Sequence, residues 1–187
     1  MKSPFYFIVK PLKNKRYKNT KNIEGVDFIT STSIENHKSS NREAVVFSTP
    51  IGYKGKIKKG DLLLVHHNVF KFYNDMKGRQ KSGKSFFKDD LFFIDNDQFF
   101  MYKSEGKWYC HDRYCFIQPV EKQESFISKL GTEEPLIGVL KYANNFLKSK
   151  GLESGDTISF KPDSEYEFMV DNEKLYRMYD HQITLKI

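Results

Sequence analysis

The chain has 187 residues, 39% hydrophobic and 16% aromatic, which is apolar material enough for one sizeable domain or two small ones. Its net charge of +7 is concentrated: residues 13–22 carry five positive charges and none negative, and residues 71–88 carry six positive and one negative. No apolar run approaches the roughly 20 residues of a membrane span, and the N-terminus lacks the apolar length and small-residue cleavage site of a secretory leader, so a cytoplasmic protein is expected, in the host cytoplasm if the source is viral.

Phe (17) and Tyr (11) are abundant and favour strands. The first predicted strand is "YFIVKPL" from Tyr6, followed by a long polar loop, 13–42, and a second strand, "EAVVFS", at 43–48. Gly60-Asp61 reads as a turn entering the strand "LLLVHH". His66 and His67, adjacent on that strand, are expected on opposite faces and hence not on one metal. The basic insertion 74–85, with Gly78, Gly83, Lys77, Arg79, Lys81 and Lys84, reads as an exposed, mobile hairpin. Such a run is more often a solvated loop than a nucleic-acid contact.

"FFIDNDQFFMY" from Phe92 reads as an aromatic hairpin turning at Asn96. Cys110 and Cys115 make neither a disulfide framework nor a four-ligand zinc site, and are read as reduced, buried or half-buried thiols. "YCFIQPV" from Tyr114 opens another strand, and a shorter loop, 122–135, carries Phe126 and Ile127. "LIGVLKYANNFLKSKG" has apolar residues near helical spacing, but its match to "EAVVFS" assigns 137–143 to a strand and leaves 144–150 for a helical turn. Gly155-Asp156 enters "TISF", with Ile158 and Phe160 on one face. "FMVDNEKLYRMY" from Phe168 is a hairpin turning at Asn172, and "ITLKI" is the final strand, with Ile183, Leu185 and Ile187 on one face.

These segments repeat. The two Gly-Asp pairs lie 95 residues apart, and the same offset aligns "EAVVFS" with "GVLKYA" at Gly138. "YFIVKPL" and "YCFIQPV" differ by 108, and Asp95-Asn96 aligns with Asp171-Asn172 at 76. Four blocks in one order indicate an all-β chain of two similar units, 1–112 and 113–187, each a small barrel closed on itself. The aspartates Asp61, Asp95, Asp156 and Asp171 are read as turn caps, not as catalytic carboxylates. No dinucleotide loop, P-loop, zinc-protease or nucleophile-elbow motif occurs, so no enzyme, cofactor or metal is expected.

The order of these motifs resembles the GroES co-chaperonins, as two tandem GroES-like units. "GVLKYA" (138–143), "LESGDTISF" (152–160), "MVDNEKLYRM" (169–178) and "ITLKI" (183–187) carry the resemblance best, with "IKKGDLLLV" (57–65) and "FIDNDQFFMY" (93–102) in the first copy. The resemblance implies a lid subunit of a homo-oligomeric ring that docks on a nucleotide-bound GroEL-like chaperonin and helps to enclose an unfolded client. In that family an apolar knot in the first loop makes the contact. Gly25, Val26, Phe28 and Ile29 are its counterpart here, with Asp27 interrupting the family's three consecutive apolar residues. GroES-like barrels also occur in alcohol dehydrogenases, but this chain has no room for their nucleotide-binding domain. The alternatives are a structural or virion-associated assembly protein that keeps the barrel, and, less favoured, an OB-like nucleic-acid binder.

Overall fold

The computed structural model describes residues 1–17, 20–23, 26–29, 39–122 and 133–187, with the backbone alone for 20–23 and 26–29. It is all-β, and it divides into two compact units, Met1–Lys107 and Trp108–Ile187. No helix among the described residues is long and apolar enough to cross a membrane.

In the first unit, β1 (Phe7–Pro11) is followed by a two-stranded ribbon, β2 (Thr20–Ile23) with β3 (Val26–Ile29), and then by β4 (Glu43–Ser48) and β5 (Leu62–Val65). A second ribbon, β6 (Phe72–Asn74) with β7 (Gln80–Ser82), precedes β8 (Phe86–Lys88), β9 (Leu91–Ile94) and β10 (Phe99–Ser104). The main ladder runs β11-β10-β5-β4-β1-β9-β8, where β11 (Lys107–Cys110) starts on the last residue of the first unit and continues into the second. Alternation along β4 turns Ala44, Val46 and Ser48 inward. Ala44 and Val46 meet Phe7, Val9, Leu63, Val65, Phe92 and Phe99 in the unit's core, where the rings of Phe7 and Phe99 pack edge to face at 5.5 Å.

In the second unit, β12 (Tyr114–Glu121), β13 (Glu133–Tyr142), β14 (Thr157–Phe160), β15 (Tyr166–Val170), β16 (Glu173–Tyr179) and β17 (Ile183–Lys186) form a ladder in the order β15-β16-β12-β13-β14-β17. A short helix, α1 (Asn145–Ser149), follows β13. The segment with helical spacing thus divides as the repeat requires: strand through Tyr142, then one helical turn whose Leu147 reaches the core. Ile158 and Phe160 are both buried, as their alternation predicts.

Read from the β17 end, this ladder has the strand order of β10-β5-β4-β1-β9-β8 in the first unit. The correspondence extends to single hydrogen bonds. Gly60 N–H donates to Val46 O and Val46 N–H to Asp61 O, while Gly155 N–H donates to Leu140 O and Leu140 N–H to Asp156 O, at 2.8–2.9 Å throughout. Asp61 accepts the Lys58 N–H and Asp156 the Glu153 N–H, both at 2.8 Å. Both turns need the left-handed φ of glycine, +94° at Gly60 and +104° at Gly155. Because Val46 corresponds to Leu140, β4 and β13 align one residue away from the expected 95; the connection that holds α1 is one residue longer.

Three expectations are corrected. The segment around Asn96 is not a hairpin, because β9 and β10 are separated in the ladder by β1, β4 and β5. A 3-10 turn, Asn96–Gln98, carries the chain across, closed by Gln98 Oε1 accepting the Asp95 N–H at 2.9 Å. Its counterpart is Asp180–Gln182, where Gln182 Oε1 accepts the Tyr179 N–H at 2.8 Å. Asp171-Asn172 does turn a hairpin, β15 to β16, with both residues left-handed (φ 48° and 67°), and its counterpart is Asp89-Asp90 between β8 and β9 (φ 46° and 60°). The dipeptides aligned at an offset of 76 therefore serve different turns.

His66 and His67 do not lie on a strand. β5 ends at Val65, the His66 carbonyl accepts the Val69 N–H in a turn, and the two rings sit side by side with centroids 4.1 Å apart. In β17, Ile183 packs on the core, but Leu185 and, just past the strand, Ile187 are 64% and 66% exposed, because the ladder slips at Thr184: Ile183 faces the buried Phe160 while Leu185 faces Ser159.

Candidate functional site

The segment 13–42 is not loop throughout. Within it β2 and β3 pair from Thr20↔Ile29 to Ile23↔Val26, so Val26, Phe28 and Ile29 lie on a strand. Gly25, the side chains of β3, Phe126 and Ile127 lie outside the described residues. Among the described residues, β2 and β3 pair with each other and with neither large sheet.

The foot of this ribbon is built from residues that the sequence did not single out. Asn41, 2% exposed, donates its side-chain amide to Leu12 O (3.1 Å) and Lys15 O (2.7 Å), while its Oδ1 accepts the Glu43 N–H (3.0 Å). Its own N–H donates to Arg16 O at 2.8 Å, and Tyr17 bridges to Ser40. One buried amide thus fastens both ends of the segment together and leads into β4.

Arg16 joins this foot to the basic insertion. Its guanidinium lies 4.2, 4.9 and 4.7 Å from the ring centroids of Phe72, Phe86 and Phe92, donates to Ser82 Oγ at 3.0 Å, and faces Asp90 at 3.6 Å. Burial pulls its pKa down from the ordinary arginine value, and Asp90 offsets part of that. The Tyr17 hydroxyl accepts the Phe72 N–H at 2.8 Å, and the two rings stack at 6.0 Å. The insertion itself is the expected exposed hairpin, β6 paired with β7. Asp75 shapes its tip by accepting the Lys77 and Arg79 N–H groups at 2.9 Å, and these bonds, the Arg79 one foremost, hold its carboxyl below the usual range.

The second unit has a polar clamp where β13 begins. Glu133 pairs with Lys174 at 2.6 Å and accepts the Tyr176 hydroxyl, which fastens the start of that strand to β16. Deeper, the Asp180 carboxylate is fully enclosed. It accepts Arg113 Nε and Nη2 at 2.6 and 2.7 Å and Asn144 Nδ2 at 3.0 Å. Burial pushes its pKa up, but the Arg113 and Asn144 bonds outweigh this and leave it below the ordinary value. Asn144 in turn caps α1, its Oδ1 accepting the Leu147 N–H at 2.8 Å.

Asp61 and Asp156 cap their turns as expected, and Asp156 also pairs with Lys186 at 2.6 Å, which lowers its pKa. Asp171 instead accepts the indole N–H of Trp108 at 3.0 Å. The thiols are held protonated: burial pushes Cys110 up to about 12 and Cys115 well above its ordinary value. Among the described residues no group of three or more His, Cys, Asp or Glu could hold a metal ion. No family model matches the chain, and no curated protein matches it.

Proposed function

We propose that this chain is a co-chaperonin-like lid subunit, built of two GroES-like barrel units in tandem, whose β2–β3 ribbon docks on a nucleotide-bound GroEL-like chaperonin ring and helps to enclose an unfolded client. The observation that carries the reading is the ribbon's placement. A strand bearing Val26, Phe28 and Ile29 stands outside both large sheets, on a foot fixed by Asn41 and Arg16. The matching ladders of the two units, and their matching Gly-Asp turns, support the tandem arrangement.

The energetics suit a lid. Burying an aliphatic or aromatic side chain is worth about 1.5–3 kcal/mol, so three anchors give a modest single-site affinity once the cost of ordering the segment is subtracted. A homo-oligomeric ring multiplies such contacts through effective concentration, yet each contact stays weak enough to release. The work is mechanical, without chemistry on the client, and its setting is the cytoplasm.

Gel filtration of the chain with a GroEL-like chaperonin tests this. Co-elution is expected with nucleotide present, and not without it or for a Val26→Ser, Phe28→Ser, Ile29→Ser variant. Assembly of the chain alone, with no chaperonin contact under either condition, would refute the lid reading.

A further inference from the structure

In the first unit, a cavity of about 370 Å³ is lined by Met1, Lys2, Phe47, Ser48, Thr49 and Lys59. It forms where the β1–β4 ladder slips. Ile8 faces Ser48 and Val9 faces Val46, so Phe47 is the extra residue of a β-bulge, a feature that re-aims a side chain. The ammonium groups of Lys10 and Lys59 each lie 5.5 Å from the Phe47 ring centroid. Lys2 is brought alongside because Ser3 O accepts the Ile51 N–H at 2.9 Å. No carboxylate lines the cavity.

The second unit shows that the fold does not need this arrangement. Its ladder slips at the same place, between Phe116↔Tyr142 and Ile117↔Leu140, which makes Lys141 the extra residue. Lys141 is ion-paired with Glu173 at 2.8 Å, and the counterparts of Lys10 and Lys59 are the neutral Gln118 and Ser154. The first unit has therefore gathered Lys10 and Lys59 at the Phe47 ring, with Lys2 and Lys59 on the cavity wall, at a position where the same bulge closes without them.

We propose that this bulge pocket binds a phosphate monoester carrying a planar ring, the class to which nucleoside monophosphates belong. Lys2 and Lys59 on the cavity wall match the two charges of a phosphoryl dianion, which a ligand with a single carboxylate would leave incomplete. The cavity is larger than a phosphoryl group, and Phe47 supplies the surface on which the attached ring stacks. The site lies in the first unit's sheet and does not depend on chaperonin docking.

The test is titration of the isotope-labelled full chain with adenosine monophosphate and, separately, with inorganic phosphate, followed by amide NMR. Saturable shifts are expected at Phe47, Ser48, Thr49 and Lys59. Binding of the monophosphate should weaken by about tenfold or more in Lys2→Gln/Lys59→Gln, and remain unchanged in the equally charged control Lys54→Gln/Lys56→Gln. Phe47→Leu should reduce the monophosphate to the level of inorganic phosphate. The proposal is overturned if neither ligand saturates, if both lysine pairs weaken binding alike, or if Phe47→Leu leaves the preference for the monophosphate intact. The spectra themselves report whether each variant is folded.

Discussion

Replacing Asp180 should destabilise the second unit selectively. Its carboxylate has no exposed surface and accepts three side-chain hydrogen bonds, two of them from a guanidinium. Removing one partner of a buried pair typically costs about 3–5 kcal/mol. Arg113 is 48% exposed and regains water when its partner is lost, so the low end applies: about 3 kcal/mol for Asp180→Ala. Much of this comes from the Asn144 amide, left without its acceptor in a buried site, and from the loosened cap of α1. The single tryptophan, Trp108, is 8% exposed and donates its indole N–H to Asp171 at the β15–β16 turn, so its fluorescence during urea unfolding reports on the second unit. The pH dependence has a definite sign. Because the folded carboxyl has a lowered pKa, its contribution is complete above the ordinary aspartate value of about 3.9 and fades as pH falls through the folded value. The variant should lack that acid-sensitive part. A destabilisation below about 0.5 kcal/mol, the ordinary range for an uninvolved surface site, would refute this account of the Asp180 brace.

Three further outcomes follow from the geometry. Gly60→Ala and Gly155→Ala should each cost about 1–2 kcal/mol in urea unfolding, since both force a side chain into a left-handed backbone; a cost at one and none at the other would show that the two turns are not equivalent. Arg16→Ala should speed amide hydrogen exchange at Phe72 and Ser82 and leave β14 unchanged, because Arg16 holds the basic hairpin to the ribbon's foot; unchanged exchange at Phe72 and Ser82 would contradict that role. Cys110 and Cys115 should resist iodoacetamide at pH 8 until the second unit unfolds, since burial keeps both thiols protonated there; rapid labelling of the folded chain would contradict it.

Much of the fold was legible where two signals agreed. The Gly-Asp turns combined a glycine that the backbone requires with an aspartate that caps the turn, and both copies use them identically. The repeat also outweighed helical spacing in 136–147, where β13 packs Leu140 into the core and only the last turn is helical. The reading failed where a dipeptide was matched without its geometry. Asp95-Asn96 and Asp171-Asn172 look alike, but the first is the mouth of a 3-10 crossover closed by Gln98 and the second a left-handed hairpin turn. The better signal was the glutamine before each following strand, in "QFFMY" and "QITLKI". The foot of the ribbon was illegible because Arg16, Asn41, Phe72 and Asp90 meet through tertiary folding, and lone polar residues in a basic stretch carry no periodicity that would mark them.

The most direct test of the lid reading is the ATPase rate of a GroEL-like chaperonin as this chain is added. The wild-type chain should change that rate saturably, while the Val26→Ser, Phe28→Ser, Ile29→Ser variant, folded to the same extent by circular dichroism, should leave it unchanged. An identical response to both chains, or none to either, would contradict the proposed docking through β3.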